Sequence, residues 1–324
     1  MIIIGDLYAF LRKVWWYDLR SMRVKRTIAL VIVLILLVSS SAAAQGGGLN
    51  GWAYEAVGFF EAAETLAEVK VALIDTGVRT KRLGSERIEA GKNYVFAGAD
   101  TDDLVGHGTR IASLILGCTN GKGNMPPLSA NARIVPLVYY SRYASGVTKS
   151  GGVEAICAAI YDAVDLYGCR VINVSVGFAL KDDRLEAAIL YAEDKGVIVV
   201  AAAGNDNIRA PERLYYPAAY DTVVSVGAAN EKMEPAAFSQ RNNVTVYAPG
   251  DALSVVSIRN GRVFETVSGT SYAAAFATAL AANLLGKHPD MSPAEFRFLL
   301  GSCAAGDDSG GWRIIDYGLL RTRK

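Results

Sequence analysis

From residue 70 onward, short apolar runs alternate with longer stretches of helical periodicity. The runs fall at residues 70–75, 133–138, 171–175, 197–203 and 222–226, and they are predicted as strands. Helical patterns cover residues 107–116, 153–167 and 183–195, and Gly117, Gly168 and Gly196 follow them directly. A glycine just past a helix supplies the left-handed residue that closes it. Strands that are apolar throughout must be covered on both faces. The alternation therefore predicts an α/β fold of three layers, a mostly parallel sheet with helices on each side. Residues 273–285 are nearly all apolar, which predicts a helix buried all round. Ser292-Pro293-Ala294-Glu295 then reads as a capping box with proline in the first turn, which predicts one more helix. Nothing after residue 70 breaks this rhythm, so residues 70–324 are predicted to form one domain. A modest helix is predicted over 53–69, with Val57, Phe60 and Leu66 among its apolar positions.

The N-terminal pattern is different. Arg23, Lys25 and Arg26 precede an uncharged apolar run at 27–38, and small residues follow at 39–44. Ala42 and Ala44 are spaced for A-x-A cleavage, which completes the three-part layout of a secretory signal peptide. The run falls short of the roughly 20 residues of a membrane span, but residues 39–44 would lengthen it into a signal anchor. Residues 1–44 are thus read as a signal peptide or a signal anchor, and 45–69 as a short N-terminal segment that begins with a Gly-rich joint. A start at Met22 gives M-R-V-K-R directly before the apolar run, a more compact leader than one that includes Trp15, Trp16 and Tyr17. Either form places the folded domain outside the cytoplasm, secreted or membrane-anchored, where disulfides are permitted. Cys118, Cys157, Cys169 and Cys303 allow three pairings, and none has the C-x-x-C spacing of a zinc site. Cys157 lies on an apolar helical face and fits a buried thiol equally well.

Composition narrows the function classes. The chain has 324 residues, 52% hydrophobic and 20% charged, the profile of a globular protein. Its 33 basic and 32 acidic residues leave a net charge of +1, without the basic excess that nucleic-acid binding calls for. No G-x-G-x-x-G follows the first strand and no P-loop is present, which argues against a nucleotide-binding α/β enzyme.

Candidate chemistry starts with histidine, because the chain has two. An imidazole is the usual general base near neutral pH. His107 sits in G-H-G-T, whose glycines allow close approach; His288, in K-H-P-D between the last two helices, reads as a surface or structural residue. Asp75 ends the strand V-A-L-I-D. Reactive groups gather at the carboxyl ends of strands in open α/β sheets, and a carboxylate there can orient an imidazole. Ser271, in S-G-T-S, opens the buried helix, where free N–H groups and the helix dipole favour a developing oxyanion. Asn205, in A-A-A-G-N, follows a strand and can donate to that oxyanion. Alone, each has a plainer reading: Asp75 and Asn205 as turn residues, Ser271 as an N-cap.

Taken together and in order, V-A-L-I-D-T-G-V, G-H-G-T, A-A-A-G-N and S-G-T-S resemble the motifs of the subtilisin-like serine proteases, the subtilases. Further matching stretches are N-A-R-I-V-P-L, V-I-N-V-S-V-G, Y-P-A-A-Y-D, Y-A-P-G and K-H-P-D-M-S-P, so the resemblance runs from about residue 70 to the end. It implies a subtilisin-like fold and a serine endopeptidase that works through an acyl-enzyme. Ser271 would be the nucleophile, His107 the base, Asp75 its orienting partner, and Asn205 the oxyanion donor together with the Ser271 N–H. Ser175, Val176 and Gly177 would pair with an extended polypeptide substrate by strand addition. Ala201, Ala202 and Ala203 would wall the pocket for the residue before the scissile bond, with Tyr215 narrowing it. No cofactor or catalytic metal is implied. Structural calcium stays open: the acidic loop 99–103 offers ligands but reads equally as a turn. The chain departs from the family in carrying Arg110 where a second histidine is frequent and Ala275 where a proline is. Only residues 45–69 stand where many secreted members have a longer folding prosegment. The alternative on the same scaffold is a catalytically silent peptide-binding protein, which normally lacks a triad member.

Overall fold

The apolar runs line up side by side and in parallel. In a computed structural model, the described residues are 49–59, 66–84, 86–120, 123–143, 145–259, 263–303 and 311–319. The expected leader or anchor lies outside them. The strands are β1 (Val69–Asp75), β2 (Lys92–Asn93), β3 (Cys118–Asn120), β4 (Gly123–Met125), β5 (Ala132–Val138), β6 (Tyr140–Arg142), β7 (Thr148–Ser150), β8 (Val171–Val174), β9 (Ile198–Ala202), β10 (Val224–Ala229), β11 (Val246–Pro249), β12 (Leu253–Val256) and β13 (Phe264–Val267). Seven of them form one sheet in the order β11-β10-β9-β8-β1-β5-β2, with every neighbouring pair parallel. The pairs β3–β4, β6–β7 and β12–β13 are antiparallel ribbons outside it.

The helices are α1 (Gly51–Ala56), α2 (Thr80–Leu83), α3 (His107–Leu116), α4 (Gly152–Asp165), α5 (Asp183–Asp194), α6 (Thr270–Lys287) and α7 (Pro293–Gly301). Gly117, Gly168 and Gly196 all have positive φ, as the sequence signals required. Ser292 accepts from the Glu295 N–H while the Glu295 carboxylate accepts from the Ser292 N–H, so both halves of the capping box are present.

The pleat divides the core in two. On β1, Val71 and Leu73 enter the core with Ile111 and Leu114 of α3 and Phe276 and Leu280 of α6. Ala72 and Ile74 point the other way, to Ile156 and Ile160 of α4 and Leu185 and Ile189 of α5. This is the expected three-layer arrangement. α6 is buried continuously from Thr270 to Leu285, with Ala275 inside its unbroken first turns.

Two expectations shift. The run at 222–226 enters the sheet as Val224–Ala229, because a turn in which the Val223 N–H bonds the Tyr220 carbonyl holds the residues before it. The helix expected over 53–69 covers Gly51–Ala56. Gly58 at φ 61 ends that turn, and Val69 is drawn into β1, its N–H bonded to the Asn131 carbonyl. Cys157, Cys169 and Cys303 are thiols without a disulfide, and the Cys118 thiol lies 3.7 Å from the Arg82 carbonyl. Among the described residues no helix is long and apolar enough to cross a membrane.

Candidate active site

Alternation along β1 decides where Asp75 points. Val71 and Leu73 face α3, so Asp75, two residues further, faces α3 as well. There its carboxylate, 1% exposed, meets the first residue of that helix: His107 Nδ1 lies 2.8 Å from Oδ1 and 2.9 Å from Oδ2. The Thr76 N–H donates to Oδ1 at 2.7 Å and fixes the carboxylate rotamer. The approach depends on Gly108: a methyl group there would stand 2.2 Å from the Gly77 carbonyl oxygen and 3.2 Å from Asp75 Cβ. With Nδ1 engaged, Nε2 is the open nitrogen of a half-buried ring. Burial disfavours the imidazolium, but the Asp75 charge and hydrogen bond outweigh it, with Asp103 adding and Arg110 opposing. The net effect raises the His107 pKa above its ordinary value.

Asp103 is the residue that sequence reasoning missed. Fully buried, its Oδ1 accepts from Thr76 Oγ1 (2.9 Å), Val105 N (3.0 Å) and Gly106 N (2.5 Å). Its Oδ2 accepts from Thr109 N (2.8 Å) and Thr109 Oγ1 (2.7 Å). Thr76 Oγ1 in turn accepts from the Gly108 N–H at 2.9 Å. One carboxylate thus ties the residue after Asp75 to the residues on both sides of His107. Nothing in T-D-D distinguishes Asp103 from Asp102 in advance; a cap-like position ahead of G-H-G was the available signal. As a member of the candidate calcium loop 99–103, Asp103 has its lone pairs committed to these donors.

Ser271 lies in the first turn of α6 and is 8% exposed. The start of this helix is held on two sides. The Gly269 N–H bonds the Gly250 carbonyl, whose own N–H bonds the end of β10 at Ala229. The Thr270 N–H donates to Asn205 Oδ1 at 2.9 Å, and the Gly204 N–H to Thr270 Oγ1 at 3.2 Å. The Tyr272 and Ala273 N–H groups bond the Gly269 carbonyl, and with Oδ1 occupied the Asn205 amide keeps its Nδ2 donors next to Gly269, 3.7 Å from where a methyl group on that glycine would stand. Tyr272, next to Ser271, packs its ring 5.7 Å from the His107 imidazole, and burial raises its pKa to about 12. Arg110 does not stand free where a histidine is frequent: its Nε lies 2.7 Å from Glu265 on β13.

The expected substrate-binding residues flank a slot at the same edge. Ser175, Val176 and Gly177 follow β8, and Gly177 is exposed. Ala201 and Ala202 end β9, the neighbour of β8, with Val174 opposite Ala201, and Ala203 follows the strand. The Ala201 methyl packs in the core against α4 and α5, so it lends the slot backbone only. Tyr215 stands between the two segments. His288 caps the far end of α6, about 25 Å along an 18-residue helix from Ser271, and takes no part in this cluster. Among the described residues, no group of three or more His, Cys, Asp or Glu side chains gathers to hold a metal.

Comparison with known proteins bears on the family and the fold. The family model of the subtilases matches residues 67–314. Subtilisin DY of Bacillus licheniformis is 33% identical over 243 residues, 74% of this chain and 84% of that protein. A thermophilic serine proteinase of Bacillus sp. (strain AK1) is 35% identical over 217 residues, 66% of this chain and 51% of that protein. Among solved structures, fervidolysin from Fervidobacterium pennivorans, described as a keratinolytic enzyme related to subtilisin, superimposes with a TM-score of 0.71 at 27% identity. That match covers 84% of this chain and 46% of that one.

Proposed function

The chain belongs to the subtilase family and is a serine endopeptidase, and from that premise we propose that Asp75, His107 and Ser271 carry the reaction, with Asn205 as oxyanion donor. The observation that supports this most directly is the Asp75–His107 pair at 2.8 Å, on the same sheet edge as the first turn of α6. His107 Nε2 takes the proton of Ser271 Oγ as that oxygen attacks the scissile carbonyl carbon. The resulting oxyanion accepts hydrogen bonds from Asn205 Nδ2 and the Ser271 N–H. Asp75 holds the imidazole in one tautomer and stabilises its charged form without taking the proton. His107 then passes the proton to the leaving amine, the C–N bond breaks, and an acyl-enzyme remains on Ser271. Water, activated by the same imidazole, releases the acid and restores the serine. The polypeptide lies extended, paired with the backbone of Ser175, Val176 and Gly177.

A fluorophosphonate should label the wild type at Ser271, and Ser271→Ala should abolish both labelling and cleavage of an unfolded protein. Labelling that survives this substitution would refute the assignment. The charged, apolar and small-residue order of residues 23–44 supports a catalytic domain outside the cytoplasm, secreted or anchored. N-terminal sequencing of the native protein separates the two, since a mature chain that keeps residues 1–21 rules out a cleaved leader.

A further inference from the structure

An acyl group bound at Asn205 and Ser271 must place the side chain of its terminal residue within a few bonds of that amide. Asn205 directly follows Gly204, and β9 neighbours β8, so the slot between residues 175–177, after β8, and residues 201–204, at and beyond the end of β9, lies beside that amide. That slot already contains a side chain. A methyl group on Gly177 would stand 3.0 Å from Cδ1 of Tyr215, and one on Gly204 would stand 2.4 Å from Cδ2 of the same ring. The two edges of the ring therefore abut the backbones that form the two walls. Gly204 has φ 112, a conformation that excludes a larger residue and leaves the ring its space.

The ring is also fixed in place. Phe178 and Tyr216 exchange backbone hydrogen bonds of 2.8 Å in both directions, which pins the chain next to Tyr215. The Ala219 N–H bonds the Tyr215 carbonyl at 2.8 Å, and the Tyr215 hydroxyl lies 3.3 Å from Asp206 Oδ2. Asp206 is itself paired with Arg213 at 3.1 Å, so its charge is committed before any substrate arrives. These restraints come from both flanks of the ring and from its tip.

We infer that Tyr215 occupies the floor of the pocket for the residue before the scissile bond and restricts the enzyme to small, uncharged residues there: glycine, alanine or serine. The inference rests on the roles given above to Ser271 and Asn205. An aromatic or long aliphatic side chain would have to displace a ring held at three points, and densely packed sites resist such overfilling.

Fluorogenic peptides that differ only in that residue (Gly, Ala, Leu, Phe or Lys) test this on the full chain, with active sites counted by fluorophosphonate labelling of Ser271. In the wild type, kcat/KM for alanine should exceed that for phenylalanine by roughly 10²-fold, the scale on which pockets separate side chains differing by a few methylenes. Tyr215→Gly should raise the Phe/Ala ratio by at least about tenfold, whereas Tyr215→Phe, which keeps the ring, should leave the ratio within about twofold. A wild type that cleaves after phenylalanine or leucine as fast as after alanine overturns the inference. So does a Tyr215→Gly enzyme whose ratio does not move. Should Tyr215→Gly not fold, the wild-type profile decides alone. Absence of labelling at Ser271 is a different failure: it removes the active-site assignment, and the inference with it.

Discussion

Replacing Asp103 by asparagine changes one atom of a side chain far from solvent and keeps its shape, so no cavity enters the result. Both carboxylate oxygens act only as acceptors, and each receives at least two donors. An amide can accept on one side only. If its NH₂ faces the Oδ1 site, it confronts the Val105 and Gly106 N–H groups, neither of which can turn away. If it faces the Oδ2 site, it confronts the Thr109 N–H, while the Thr109 hydroxyl can rotate. The second orientation is the cheaper one. It still leaves one buried N–H without an acceptor, at about 1–3 kcal/mol, and turns the three remaining bonds from charge-assisted to neutral. The expected loss of stability is about 3 kcal/mol, with Asp103→Ala costing more because both sides are vacated.

Urea unfolding in a Ser271→Ala background measures this without autolysis. The same substitution in the active enzyme should lower kcat, because the first turn of α3 carries His107 and a misplacement of about 1 Å at a reacting group can cost 10²-fold. Stability within about 1 kcal/mol of the background would refute the assignment of Asp103 as the hub, since one orphaned donor alone reaches that value.

The raised pKa of His107 places the acid limb of kcat/KM above the ordinary imidazole value of about 6.5, because the base must be neutral to take the serine proton. Asp75→Asn should shift that limb downward and lower kcat by roughly 10⁴, the loss such a change brings to a Ser-His-Asp triad; an unmoved limb would show that Asp75 does not set it. The same shift makes the charged pair stabilising below about pH 6.5, a contribution lost as pH rises through the folded-state pKa. Unfolding of the Ser271→Ala protein across that window, compared with the Asp75→Asn double variant, measures the loss. Gly108→Ala should abolish activity and destabilise the fold by about 3 kcal/mol or more, because the added methyl meets a backbone carbonyl at 2.2 Å rather than a side chain that can yield; a folded, active variant in a thermal melt and peptide assay would show that α3 can shift.

What the sequence made legible follows from how far apart the interacting residues are. The strands, the glycine stops and the capping box are signals complete within a few residues, and the structure has them nearly where they were expected. The helix at 53–69 and the run at 222–226 were misplaced because Asn131 draws residue 69 into the sheet, a turn between Tyr220 and Val223 holds back the start of β10, and pairing with β11 carries its end to Ala229. The proposed active-site groups stood out in the sequence for a related reason. Each sits at the end of a strand or the start of a helix, and those positions have recognisable local chemistry.

The groups that hold them are different. Asp103 works through hydrogen bonds to residues up to 27 positions away, and no local feature separates it from Asp102. Arg110 stood out as a departure from the family, but its partner Glu265 is 155 residues distant on β13, a pairing that only the packed structure brings about. Tyr215 lies between. Its closeness to the Y-P-A-A-Y-D stretch suggested that it narrows a pocket. That its ring spans the slot follows only once Gly177 and Gly204 are seen on either side of it. On the proposed reading of this slot, specificity depends on two glycines that follow the adjacent strands β8 and β9. Enlarging either one would expel the ring from the slot, so the walls and the floor of the pocket constrain one another.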